Sequence, residues 1–428
     1  MSASLESNDA GLIRALVCLM FFTFAMTTDA VGSVIPAVID EFSLSMTAAS
    51  AFQYATMAGI AAGALLLGFL ADRVGRRRTV IVGLVLYGSA SLVFAVSDRF
   101  GAFVILLVLS GLGISVFKIG ALALVGDVSK STTSHTRFMN TIEGFFAVGA
   151  IVGPAVVATL IARGLSWKWL YVAAAAMCVL LVAIASRVRS PDTPRNAAER
   201  ATLREMMGVL RDPMALAVSA LVMLYVAVEV AVYVWMPTYL LAYGGSFAWL
   251  PGYALTLFFV LRAAGRFLGA WLLAHVSWTT ALAIVGAAIF LCFLGSLSFG
   301  VDAAAWLLPL SGLFMSIVYP TLNSKGISCF PKSQHGAAAG VILFFTAAAA
   351  ALGPLAMGAI SDAYGTTEAG FVLATVFAFL MLAGLAGNWL LDPFGRRLRA
   401  SDRDDYARAQ PARAAMPRAT PAEPGPAK

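Results

Sequence analysis

The chain has 428 residues, 60% of them hydrophobic and only 12% charged, with a formal net charge of +7. Soluble globular domains carry about 25% charged and 45–50% apolar residues, so the composition argues against a soluble enzyme, a disordered scaffold and a nucleic-acid binder. The apolar residues come in runs of about 20, the length that crosses a hydrocarbon core about 30 Å thick at 1.5 Å per residue. The N-terminus shows no small-residue cleavage site, so the first apolar run is expected to remain as a helix. Spans are expected at 11–38, 48–70, 79–97, 101–127, 138–162 and 168–186, then at 213–242, 251–273, 279–299, 303–324, 336–360 and 369–391. That pattern predicts an all-α polytopic membrane protein of twelve transmembrane helices. Between the two sets, Arg187–Asp212 is polar, and its NAAERATLREMMGVL stretch predicts a short amphipathic helix on the membrane surface, capped by Asn196. The segment after Asp392, rich in Ala, Pro and Arg, is expected to be a disordered tail.

Lys and Arg in the loops fix the direction. With both termini cytoplasmic, 23 of the 29 basic residues fall on the cytoplasmic side and three (Arg99, Arg163, Lys168) outside. The positive charge is therefore a topology signal of a multi-pass protein, expected in a bacterial inner membrane, and not a nucleic-acid patch. Cys18, Cys178, Cys292 and Cys329 have no paired spacing and read as small packing residues. His135, His275 and His335 lie near one predicted face, so no metal, cofactor or catalytic set is expected.

The second half repeats the first at an offset of about 200 residues. LSGLGIS begins at Leu109 and LSGLFMS at Leu310; Phe145, Phe146, Gly153 and Pro154 recur as Phe344, Phe345, Gly353 and Pro354; Asp29 before Pro36 recurs as Glu229 before Pro237. Parallel six-helix repeats around a mid-membrane cavity are an alternating-access transporter design. The expected organisation is a first half over 1–186, a cytoplasmic linker over 187–212, a second half over 213–391 and a tail over 392–428.

Between spans two and three the chain reads GFLADRVGRRRT, from Gly68 to Thr79. This resembles the signature loop of the major facilitator superfamily. The resemblance implies a conformational lock: Gly68 for close helix approach, Asp72 and Arg73 across the half-to-half interface, and Gly75 with Arg76 at the cytoplasmic surface. A purely topological positive loop is the competing reading. Residues 139–154, 224–240, 261–272 and 311–324 (for example LRAAGRFLGAWL) are similar to the fucose and glucose permease branch, which implies sugar–proton symport. The chain departs from that branch at Lys118, where an acid and an asparagine are usual, and at Asn140 and Glu143, where Asn-x-x-His is usual. The first-half positions expected for sugar and proton are thus altered.

Asp29, Lys118, Glu143, Glu229 and Arg262 sit well inside predicted spans. Each costs about 2.5–3.5 kcal/mol to insert, so they must face a cavity or one another. Asp29, Glu229 and Glu143 are the proton-coupling candidates; the alternative for each acid is a structural hydrogen bond. Lys118 either pairs with Glu143 on the neighbouring helix or holds an anionic group. Arg262 either pairs with Glu229 or meets an anionic substrate. Polar and aromatic lining candidates are Gln53, Tyr54, Asn140, Tyr225, Tyr233, Trp235, Tyr319 and Asn323, which offer amide hydrogen bonds and flat faces. The function expected is secondary transport of a small polar solute, a sugar or a sugar acid or organic acid, with a proton, by a monomer in the bilayer. GAIVGP (149–154) also partly resembles the fifth-helix motif of drug/proton antiporters, which keeps efflux as an alternative. A non-transporting membrane sensor on the same scaffold is a third.

Overall fold

The computed structural model describes residues 2–67, 74–128, 132–188, 207–331 and 334–399, and among them every regular element is a helix. In hydrocarbon only a helix or a closed barrel satisfies all backbone donors and acceptors, so apolar runs of this length fold as helices. α1 (Ser2–Thr28) and α2 (Val31–Phe42) make the first span. A single turn at Met46–Ala49 leads into α3 (Ala51–Leu67), the second. α4 (Arg76–Val96), α5 (Phe100–Val128), α6 (Thr132–Ala162) and α7 (Trp169–Arg187) are the third to sixth. α8 (Pro213–Val230) runs on through a π turn at Ala231–Trp235 and a last turn at Met236–Tyr239 as the seventh. α9 (Leu250–His275) and α10 (Trp278–Ser298) are the eighth and ninth. α11 (Val301–Met315) with α12 (Val318–Ser328) makes the tenth, and α13 (His335–Tyr364) and α14 (Thr367–Leu391) the last two. Eleven spans are long and apolar enough to cross a membrane on their described residues; α3, with 17 described residues, is the twelfth.

Three spans that read as continuous are broken. The first breaks at Asp29–Ala30, nearly two turns before Pro36; the tenth breaks at Ser316–Ile317, about one turn before Pro320. Pro320 cannot donate to the Ser316 carbonyl, and Pro237 likewise cannot donate to the Tyr233 carbonyl inside the π turn. Ends are set by ordinary caps. The Asp212 carboxylate accepts from the Met214 N–H at 2.8 Å with Pro213 as first helical residue, and the Ser277 hydroxyl accepts from Thr280 at 3.1 Å. Gly75 begins α4 at φ 92, a conformation that favours glycine.

Packing follows the repeat. In the first half α3 packs on α5, α1 on α6, and α4 on both α5 and α7; in the second, α9 packs on α11, α8 on α13, and α10 on both α11 and α14. These are the same contacts, helix for helix. The halves meet through α6 against α9, α3 against α13, and α2 against the seventh span.

Most of the named inter-half bonds lie toward the face that carries residues 43–50, called here the far face; the opposite, terminal face carries the start of α1. At the far face Asp362, in the last turn of α13, accepts the Met46 and Thr47 N–H groups, both at 2.8 Å, and the Thr47 hydroxyl. The Thr159 and Tyr253 hydroxyls bond at 3.1 Å. Deeper, Gln53 donates to the Tyr233 hydroxyl at 3.2 Å. Nearer the terminal face, Glu143 of α6 and Arg266 of α9 form an ion pair at 3.9 Å, each about half exposed. Charged side chains do not open onto lipid at this depth, so their exposure marks a crevice between the halves that opens toward the terminal face.

Two expectations need adjusting. The start of the supposed disordered tail, 393–399, is helical: Phe394 is buried and Arg397 pairs with Asp212 at 3.0 Å. Of the amphipathic helix expected over 196–210, residues 207–209 are helical and 196–206 lie outside the described residues, as do Gly68, Asp72 and Arg73 of the loop motif.

Candidate functional site

The two breaks next to acids face each other. Asp29 sits where α1 gives way to α2, its N–H still bonded to the Ala25 carbonyl at 3.0 Å. Glu229 lies one residue before the end of α8, directly ahead of the π turn. α2 packs against that turn so closely that a β-carbon at Gly32 would overlap the Tyr233 carbonyl. The acids thus stand on either side of a backbone-to-backbone contact between the halves.

Their electrostatics differ. Glu229, buried at 7% exposure, forms an ion pair with Arg262 of α9. Asp29 has no ion-pair partner among the described residues, and its buried Oδ2 atom has no hydrogen-bond partner there. On the first-half side the Lys118 ammonium of α5 lies 4.6 Å from the Phe24 ring centroid and 5.6 Å from that of Phe21. Phe24 in turn packs on Phe146 of α6 at 5.6 Å. A desolvated cation–π contact is worth about 2 kcal/mol, against an insertion cost of about 2.5–3.5 kcal/mol for the ammonium. Two such contacts offset the insertion cost, but rings supply no counter-charge, so the ammonium stays unneutralised.

The pairing of Lys118 with Glu143 does not occur. Glu143 reaches across to Arg266 of the other half instead, although its field and that of Asp29 both act on Lys118. The physical reason is helix rotation: Glu143 follows the α6–α9 interface, whereas Lys118 points toward α1. For Arg262, the first of its two expected partners, Glu229, is the one present.

Trp235 is fully buried, with its indole N–H on the Pro354 carbonyl at 3.0 Å. It serves the α8–α13 packing here and offers no open face to a ligand. Gln53 is buried at the α3–seventh span contact. Asn323, in α12, is partly exposed. The side chain of Asn140 lies outside the described residues. Tyr225 donates to the Met315 carbonyl at the break of the tenth span at 2.9 Å and lies 6.4 Å from Tyr319. In the loop motif, Gly75 and Arg76 are described: Arg76 is buried at 8% exposure, and the adjoining Arg77 donates to the Ser186 carbonyl at the end of α7.

Sequence reasoning missed Asp362. An acid near the end of an apolar helix carries no mark of its partner, and the two N–H groups it accepts lie more than 300 residues away. It also missed Thr27, whose hydroxyl meets Tyr87 of α4 at 2.6 Å beside Asp29.

Residues 17–354 match the Major Facilitator Superfamily. A glucose/galactose transporter of Brucella abortus is 25% identical over 400 residues, 90% of this chain and 96% of its own. Among solved structures, a bacterial homologue of the human lysosomal transporter Spinster, inward-facing and unoccupied, superposes with a TM-score of 0.71 at 15% identity, covering 92% of this chain and 98% of that one. The Escherichia coli fucose:proton symporter superposes with a TM-score of 0.59 at 20% identity, over 87% of this chain and 97% of that one. The chain resembles the fucose and glucose permease branch in sequence as well as in fold.

Proposed function

The chain belongs to the major facilitator superfamily, and from that premise we propose that this transporter carries a small polar solute, sugar-like or a sugar acid or organic acid, across the membrane together with a proton. The observation that carries the reading is the pair of repeat-related acids at facing helix breaks, one neutralised by Arg262 and one, Asp29, without a partner among the described residues. The buried Oδ2 atom of Asp29, with no hydrogen-bond partner among the described residues, offers a seat for a proton. Asp29 is the proposed proton carrier; Glu229 with Arg262 is a charge pair within the second half, and Glu143 with Arg266 is one across the halves that parts and re-forms as they rock. Lys118, Gln53, Asn140 and Asn323 are proposed to contact solute; Trp235 joins them only in states that free its indole. Gly68, Asp72, Arg73, Gly75 and Arg76 are proposed to lock the terminal face in the opposite state.

The positive loops support an orientation with the terminal face cytoplasmic. The crevice then opens inward, and the Asp362 contact closes the outside. The likeness to a glucose/galactose transporter and a fucose:proton symporter supports a sugar-type solute and proton coupling.

Uptake by purified protein in lipid vesicles, with and without a pH gradient, tests this. Wild type should concentrate solute only with the gradient. Asp29→Asn should lose proton-driven accumulation yet still exchange solute across the membrane. Full accumulation by that variant would remove Asp29 from the coupling step, and net efflux driven by the gradient would make the protein an antiporter.

A further inference from the structure

Three acids and three bases lie within the spans where the halves meet, from the middle toward the terminal face: Asp29, Glu143 and Glu229 against Lys118, Arg262 and Arg266. Two pairs are made, Glu229 with Arg262 and Glu143 with Arg266. Asp29 and Lys118 are left, each without an ion-pair partner among the described residues, and each within the other's field. The ammonium rests on the rings of Phe21 and Phe24, which bear no counter-charge. With every group ionised the cluster has a formal charge of zero, so an entering anion meets as much repulsion as attraction. A proton on Asp29 leaves one uncompensated positive charge, centred on Lys118.

We propose that the solute is a monocarboxylate, that Lys118 holds its carboxylate, and that the site accepts it only when Asp29 carries a proton. The inference rests on the reading of the protein as a proton symporter and narrows its solute class. The proton enters from the far side, sits on Asp29 while the carboxylate lies on Lys118, and both leave at the terminal side. One proton and one monoanion cross together, with no net charge moved. A neutral sugar with a proton would instead move one positive charge per cycle. The groups around Asp29 that share its electrostatics are Arg262 of α9, Glu229 and Tyr233 of the seventh span and Lys118 of α5, with Glu143 of α6 and Tyr87 of α4 on the adjoining helices. Apart from Lys118 the one cation among these groups is Arg262, which is paired with Glu229, so the effect of the proton is read at Lys118.

The test uses purified full-length protein and matched probes that differ only in charge: glucuronate against glucose, galacturonate against galactose, benzoate against benzamide, lactate against propane-1,2-diol. Thermal shift should show stabilisation by at least one acid and not by its neutral counterpart. That acid's apparent affinity should fall at least ten-fold as pH rises through the titration of Asp29. In Asp29→Asn it should stay high and independent of pH. Lys118→Gln should lose at least ten-fold in affinity for the acid, while Lys118→Arg should keep most of it. In vesicles, uptake of the acid should follow a pH gradient and ignore an imposed potassium diffusion potential, whereas a cycle that moves one charge would change accumulation tens-fold. If no acid stabilises the protein, if Lys118→Gln binds the acid as wild type does, or if uptake follows the potential, the inference fails. Proton-driven accumulation of a neutral sugar in place of its acid would overturn the inference and leave the symporter reading standing. Binding of either probe without any transport would overturn the symporter reading itself.

Discussion

At the scale of single residues, the buried pair of Glu229 and Arg262 is the most exposed to damage. Two desolvated ions cost several kcal/mol each, and only their attraction offsets this; removing one partner strands the other, at about 3–5 kcal/mol. Arg262→Gln and Glu229→Gln should therefore each lower the detergent-solubilised protein's melting temperature, while the double variant, with no stranded charge, should recover much of the loss. Equal stability in all three would mean that the pair contributes nothing. The same reasoning explains Trp235. Its flat face suggested a lining residue for a ligand, but its N–H has a buried carbonyl to satisfy, that of Pro354.

At the scale of elements, the first and seventh spans are the ones whose irregularities matter. Each acid–proline pair was legible in the sequence, but the breaks were not, because a proline shows where a bond is lost and not how the preceding turns relax. The outcome is a direct α2-to-seventh-span contact in which Gly32 lies against the Tyr233 carbonyl. Neither backbone can give way to a methyl group there, so Gly32→Ala should keep the far face from closing. An engineered Thr159→Cys, shielded beside Tyr253 in the closed state, would then react with a membrane-impermeant thiol reagent. The four native cysteines are buried and unpaired, and so should stay silent in this assay. Asp362→Asn should give a smaller shift in the same direction, since charge-assisted bonds to two N–H groups become neutral ones. Protection unchanged in both variants would show that these contacts do not hold the face shut.

At the scale of the whole molecule, the two six-helix halves close on the far face and part toward the terminal face. A rocking transporter must break the far-face contacts in every cycle. A short crosslink between Thr47→Cys and Asp362→Cys should therefore stop net transport while leaving solute binding from the terminal side intact; undiminished transport after full crosslinking would exclude rocking. Membrane class, twelve spans, the repeat and the family were all legible in the sequence by itself, because each depends on residue type and spacing along the chain: apolar run length, loop charge, a 200-residue offset, a loop motif. So were five intramembrane charges, because any charge in a hydrophobic run stands out. Partner choice was not. Whether Glu143 meets Lys118 or Arg266, and which acid keeps a free carboxylate, depend on the rotation and tilt of helices packed by hundreds of distant contacts. The sequence therefore determined which residues must be compensated, and only the tertiary structure decided what compensates them, leaving Asp29 and Lys118 as the two charges it did not pair.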